Sequence, residues 1–208
     1  MAVKTVRGEQ SEFTRTALLI AARELFATRG YADTSTEEIV QMAGVTRGAL
    51  YYQFRDKEDL FRAVYHELER ELQETLTAQA REIVGHGANA WAEIKDSSQA
   101  FLDACLDRDI QRIALVEAPS VLGHDANRAV SRFGLELLRR GLQSAVESNT
   151  IDPQPVEPLA HLLRAALQEG ARLIAVAPNH AAARAEVGAA VDRLIEGLRR
   201  APDSASRV

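Results

Sequence analysis

Residues 34–60 read TSTEEIVQMAGVTRGALYYQFRDKEDL. Ser35 has a short hydroxyl side chain suited to capping a helix start, and Glu38 follows three residues later, which completes a capping box. Ile39, Val40 and Ala43 then supply an apolar face, and Gly44 ends the helix. One residue further on, Thr46 caps again. Val45 before that cap and Leu50 four residues after it can close a hydrophobic staple. The third helix therefore spans about Arg47 to Phe54. Two helices of about two turns, joined by Ala43-Gly44-Val45-Thr46, are the pattern of a helix-turn-helix.

Reading outward, Leu18, Ala21, Ala22, Leu25 and Phe26 recur at helical spacing and predict a first helix over 14–29, stopped by Gly30. A fourth helix starts near Lys57, with Leu60, Val64, Leu68, Leu72 and Leu76 on one face. It is expected to run to about Val84 and to cross the domain boundary. Further helices are expected over about 89–106, 108–118, 127–148, 158–177 and 181–199, separated by Pro119, Gly123, Asp152-Pro153-Gln154-Pro155 and Pro178-Asn179. No stretch alternates with strand period. The fold class is all-α: a three-helix head joined through a long fourth helix to an all-helical body. The expected organisation is a flexible arm over 1–13, a head over 14–62, a body over 63–200 and a disordered tail over 201–208.

Composition narrows the function. The 208 residues carry a net charge of −5. Residues 1–66 hold nine basic and nine acidic groups, so the deficit lies wholly in the rest. A neutral head on an acidic body fits a chain in which only the head meets phosphate. No apolar run is long enough to cross a bilayer, the first twelve residues have no signal-peptide core, and Cys105 is the single cysteine. These point to a cytoplasmic protein with no membrane partner. Five histidines show no metal-ligand spacing, and there is no phosphate-binding glycine loop. Neither an enzyme nor a metal or other cofactor is expected.

The second helix of a helix-turn-helix enters the major groove with its first residues toward the base edges. Here those are Thr46, Arg47, Gly48 and Ala49, followed by Tyr51, Tyr52 and Gln53. Arg47 suits a bidentate contact to guanine and Gln53 a contact to adenine. Gly48 and Ala49 let backbone come close, and the tyrosines offer hydroxyls to phosphate. Leu50 and Phe54 belong to the core.

Residues 14–64 resemble the DNA-binding region of the TetR family of bacterial repressors. The resemblance is carried by Gly30-Tyr31, Thr34-Ser35, Ile39-Val40, Ala43-Gly44-Val45-Thr46, Gly48-Ala49-Leu50-Tyr51, Phe54 and Lys57-Glu58-Asp59-Leu60. Val40 stands where alanine is usual and Gln53 where histidine is frequent. The resemblance implies a homodimer on a palindromic operator in double-stranded DNA. Thr34, Thr46, Tyr51, Tyr52 and Lys57 would meet phosphates, with Ser35 beside them, and Arg47, Gly48 and Ala49 would face bases.

In the body, the last two helices carry the candidate dimer face: Leu162, Ala166, Gly170 and Leu173, then Val187, Val191, Leu194 and Leu198. A small-molecule effector, hydrophobic or aromatic, is expected among the middle helices near the break at 119–125. Its candidate contacts are Trp91, Phe101, Cys105, Glu117, His124, Asn127, Phe133 and Glu169. The expected function is a ligand-released repressor. The alternatives are a DNA-binding activator or a regulator without a small effector and, remotely, a helical enzyme.

Overall fold

The structure, a computed structural model, describes residues 2–85, 89–123 and 128–200, with side chains described over 8–82, 89, 91–123 and 134–200. The elements are α1 (Ala2–Arg29), α2 (Thr36–Ala43), α3 (Arg47–Gln53), α4 (Lys57–Gly85), α5 (Ala90–Ala104), a π-helical segment (Ile110–Glu117), α6 (Ala118–Val121), α7 (Arg128–Glu147), α8 (Val156–Val176) and α9 (His180–Glu196). The all-α reading holds among the described residues. None of the described helices is long and apolar enough to cross a membrane.

The chain divides into two compact units, residues 1–71 with 107–127 and residues 72–106 with 128–208. In the first, Leu18, Ala22, Leu25 and Phe26 of α1 pack with Ile39, Leu50, Phe54, Leu60, Phe61 and Tyr65. Phe26, Tyr31 and Phe61 form a set of ring contacts with centroids 5.1–5.8 Å apart. The capping box at Ser35 is formed in both directions. Gly44 ends α2 in the left-handed region at φ 66°, a conformation that costs glycine little. In the second unit, α5 packs on α7, α8 and α9, and α8 lies between α7 and α9. Leu102, Leu142, Ile151, Ala160, Ile174 and Ile195 fill the centre. The turn after α7 is tied to the end of α9 by an Ile151–Arg199 bridge and by the Arg200 amide donating to the Thr150 carbonyl at 3.1 Å.

Three expectations are corrected. The stretch expected as a flexible arm is helical from Ala2, continuous with α1, and the Gln53 amide donates to Ser11 Oγ (2.8 Å) and to the Ser11 carbonyl (3.0 Å). The expected 108–118 helix winds as a π-helix over Ile110–Glu117 before one α-helical turn. The 62/63 boundary is also displaced. Residues 63–71 and 107–127 group with the head, because Ile113 and Ala118 are buried in the same core as Phe26 and Phe61. The expected tail lies outside the described residues.

Candidate nucleic-acid interface

The α3 helix is held from beneath by buried Leu50, with Phe54 closing its end, so its opposite face is free. Thr46 caps its start: its hydroxyl accepts from the Ala49 amide at 3.2 Å. On the free face, Arg47 and Gly48 are exposed, Ala49 is half-buried, and Tyr51 and Tyr52 are 45% and 79% exposed. A Cβ on Gly48 would meet only Thr46 Oγ1, at 3.9 Å, so the surface in front of it is open.

Arg47 does not stand alone. Its Nη1 lies 2.9 Å from Glu37 Oε1, and its guanidinium sits 5.6 Å from the centre of the Tyr51 ring. Hydrogen bonds from Thr36 and then Arg47 hold the Tyr51 hydroxyl below its ordinary pKa. Glu37 is held low by its own backbone amide, by Thr36 and by Arg47. The pairing is solvent-exposed and therefore weak. It is also exchangeable: a guanine edge or phosphate can replace Glu37 at small cost. Thr36 and Glu37 were not singled out in the sequence. Their only signal there is their place in the first turn of α2.

Several predicted contacts are otherwise engaged. Thr34 is buried, and its hydroxyl donates to the carbonyls of Gly30 (2.8 Å) and Leu25 (3.3 Å), so it is enclosed rather than offered to phosphate. Lys57 spends two N–H groups on the carbonyls of Tyr31 (2.9 Å) and Thr34 (3.0 Å) and lies 4.2 Å from the centre of the Tyr31 ring. Gln53, tied to Ser11, is not free to pair with a base. Ser35 is exposed, but its hydroxyl closes the capping box with Glu38. What remains together on one surface is Thr46, Arg47, Gly48, Ala49, Tyr51 and Tyr52.

The effector candidates do not assemble. Trp91 is buried in the second unit, its indole N–H reaching Glu196 Oε2 at 3.4 Å, and Phe101 packs half-buried on the same core. Cys105 is fully enclosed, and burial pushes its thiol up to about 12, so it is a neutral packing group. Glu117 belongs to the first unit and pairs with Arg112. Glu169 points to solvent, clasped by Arg172 at 2.5 and 2.8 Å. His124 and Asn127 lie outside the described residues, as does the side chain of Phe133.

The dimer candidates divide as well. Leu162, Leu173 and Leu194 are exposed. Gly170 and Val191 are buried within their own unit, with Gly170 against Val187 and Leu102. Val187 and Leu198 pack on the same core, and Ala166 is half-buried. The α8–α9 contact consumes part of the face that periodicity assigned to a partner.

A capped second helix with an open, cationic and aromatic face, in an all-helical chain, defines a helix-turn-helix regulator. The chain belongs to the TetR family of bacterial regulatory proteins. Residues 18–64 match the model described as bacterial regulatory proteins, tetR family, and residues 91–198 match the tetracyclin repressor-like C-terminal domain. It is 45% identical over 65 residues to the HTH-type transcriptional regulator AcrR of Shigella flexneri, and 42% identical over 62 residues to the HTH-type transcriptional repressor BepR of Brucella suis. Those matches take in 31% and 30% of this chain and span only 29% of the length of each relative. A crystal structure of a TetR-family transcriptional regulator from Pectobacterium atrosepticum is 34% identical, with a TM-score of 0.78 over 93% of this chain and 98% of that one. The family and these relatives are regulators, not enzymes.

Proposed function

We propose that this chain is a homodimeric repressor that reads a palindromic operator through α3 and is released by a small hydrophobic or aromatic effector. The observation that carries the reading is the exposed set Thr46, Arg47, Gly48, Tyr51 and Tyr52 on a helix fixed from behind by Leu50 and Phe54. Arg47 supplies a planar fork for a guanine edge, Gly48 leaves room for close approach, and Thr46 with the tyrosines contacts phosphate. One short helix reads few base pairs. Two heads on half-sites about one turn apart, roughly 34–36 Å, multiply their affinities.

The dimer is supported by Leu162, Leu173 and Val176, which share one exposed face of α8, with Leu194 exposed on α9. The effector arm is supported by the match of residues 91–198 to the tetracyclin repressor-like C-terminal domain. Release requires that the effector bind the non-operator conformation more tightly than the other, since equal binding shifts nothing.

The test is selection of bound sequences from a random DNA pool, then a salt titration on the winner. A palindrome bound by a dimer, with affinity falling steeply as salt rises, is the expected result. A pool with no enrichment, repeated on protein unfolded, stripped of small molecules and refolded, overturns it.

A further inference from the structure

Residues 107–121 fall in chain order between two helices of the second unit, yet they pack in the first. Ion pairs join this segment to α1. Arg23 Nε donates to Asp109 Oδ2 at 2.6 Å, while its Nη1 lies 2.8 Å from Glu71. Arg108 Nη2 lies 2.9 Å from Glu24. A third group reaches the very end of α1: Arg112 Nη2 is 3.0 Å from Glu117 Oε1 and 3.5 Å from the Arg29 carbonyl. The last carbonyls of a helix lack intrahelical partners and carry partial negative charge, so a guanidinium there acts as a cap brought from outside.

The local winding makes this arrangement possible. Arg112 and Glu117 are five residues apart. On an α-helix such residues point about 140° apart and cannot pair. Both lie in the π-helical segment, whose i to i+5 repeat puts them on one side. The pair sits against Gly30, the residue after α1, at φ +90°. A Cβ on Gly30 would fall on Arg112 Nη2 and Glu117 Oε1. Position 30 needs glycine for its backbone, and a Cβ there would also push aside the ends of these two side chains. Glu117 is only 16% exposed, and Arg112 Nε is buried with no hydrogen-bond partner among the described residues.

The segment anchored here is the turn into the helix-turn-helix. Residues 31–34 run from Gly30 to the Ser35 cap of α2. They are held from inside the head by Lys57, on the Tyr31 and Thr34 carbonyls, and by the Thr34 hydroxyl on Gly30. Arg112 and Glu117 lie against the start of this turn, at Arg29 and Gly30. Thr36 and Glu37, the first residues of α2, are the partners of Tyr51 and Arg47 on α3.

We propose that Arg112, with Glu117 as its counter-ion, is a positioning residue for DNA binding: it caps α1 and fixes the α1–α2 turn in the geometry that presents Arg47 and Tyr51. This rests on the reading of α3 as a DNA-contacting helix. The pair is partly exposed, Arg112 at 42% and Glu117 at 16%, so its role follows from where it sits and not from the stability it adds.

The experiment measures operator affinity and its salt dependence for Arg112→Ala, Arg112→Lys, Glu117→Gln and, as a control, Arg47→Ala, using the selected operator and protein folded by circular dichroism. Arg112→Ala is expected to lose roughly tenfold in affinity, the loss of one charge-assisted cap. The slope of log affinity against log salt should stay at the wild-type value, because no phosphate contact is removed. Lysine at 112 should restore part of the affinity. Glu117→Gln, which keeps the side-chain size and serves if Arg112→Ala does not fold, should shift affinity in the same direction by about threefold. Wild-type affinity in folded Arg112→Ala, or in Glu117→Gln if the first is unfolded, overturns the positioning role. A reduced salt slope in Arg112→Ala overturns it too, in favour of direct phosphate contact. If Arg47→Ala loses affinity and the position-112 variant does not, the positioning role alone fails. If neither changes binding, the reading of α3 fails as well.

Discussion

The short helices α2 and α3 of the first unit and the long α8 of the second are held in place differently. The α2 helix begins at a complete capping box and ends at a left-handed glycine, and α3 begins at a threonine whose hydroxyl accepts from the Ala49 amide. By contrast, α8 starts after Pro155 with no side-chain cap, and Leu163, Gly170, Ala171 and Ile174 locate it by packing. The first design is local chemistry repeated every few residues. The second is burial, whose outcome depends on what the rest of the chain brings to the surface.

The largest expected effect separates the two cores. Phe61→Ala in the first unit should cost about 3–5 kcal/mol and Ile174→Ala in the second about 2–5 kcal/mol. Calorimetry should show each substitution lowering a different part of the unfolding profile. One shared transition moved equally by both would mean that the units fold as one. Next in size, Leu162→Glu should weaken self-association more than tenfold, about 2 kcal/mol, by placing a charge on the exposed α8 face. Sedimentation at several concentrations checks this. An unchanged dimer would place the interface elsewhere.

On the DNA side, Arg47→Ala should cost about 1–3 kcal/mol and relax preference at one base pair per half-site. Competition between operator variants measures that loss. A uniform loss across all variants would make Arg47 a phosphate contact. The smallest effect is at the cap. Ser35→Ala should destabilise the first unit by about 1 kcal/mol at neutral pH. The Ser35 amide and hydroxyl hold the Glu38 carboxyl below the ordinary value of 4.5. Its contribution is thus intact above that value and is lost as pH falls through the lower folded value. The gap between Ser35→Ala and the parent should therefore narrow on acidification. A gap constant from neutral to acid pH would mean that the box contributes through Ser35 alone.

The sequence by itself determined the all-helical class, the boundaries of α2 and α3, the core roles of Leu50 and Phe54, and the face on which Arg47, Tyr51 and Tyr52 stand. Each of these depends on residues within a few positions of one another: a cap and its N3 partner, a staple, a helical period. Tertiary structure decided the rest. Lys57 and Gln53 read as contacts because their chemistry suits phosphate and bases, and Thr34 because the family resemblance implies it. Their hydrogen bonds go instead to carbonyls and a hydroxyl as many as 42 residues away. Residues 108–118 read as one more helix of the body. Their place in the head follows from pairings with Arg23, Glu24 and Arg29 more than eighty residues earlier. Along α8 and α9 the periodicity marks every apolar residue alike. Which are spent inside, as Gly170 and Val191 are, and which remain for a partner, as Leu162 and Leu194 do, is set by helices distant in sequence. A pattern of apolar residues specifies that a face must be covered. It does not specify by what.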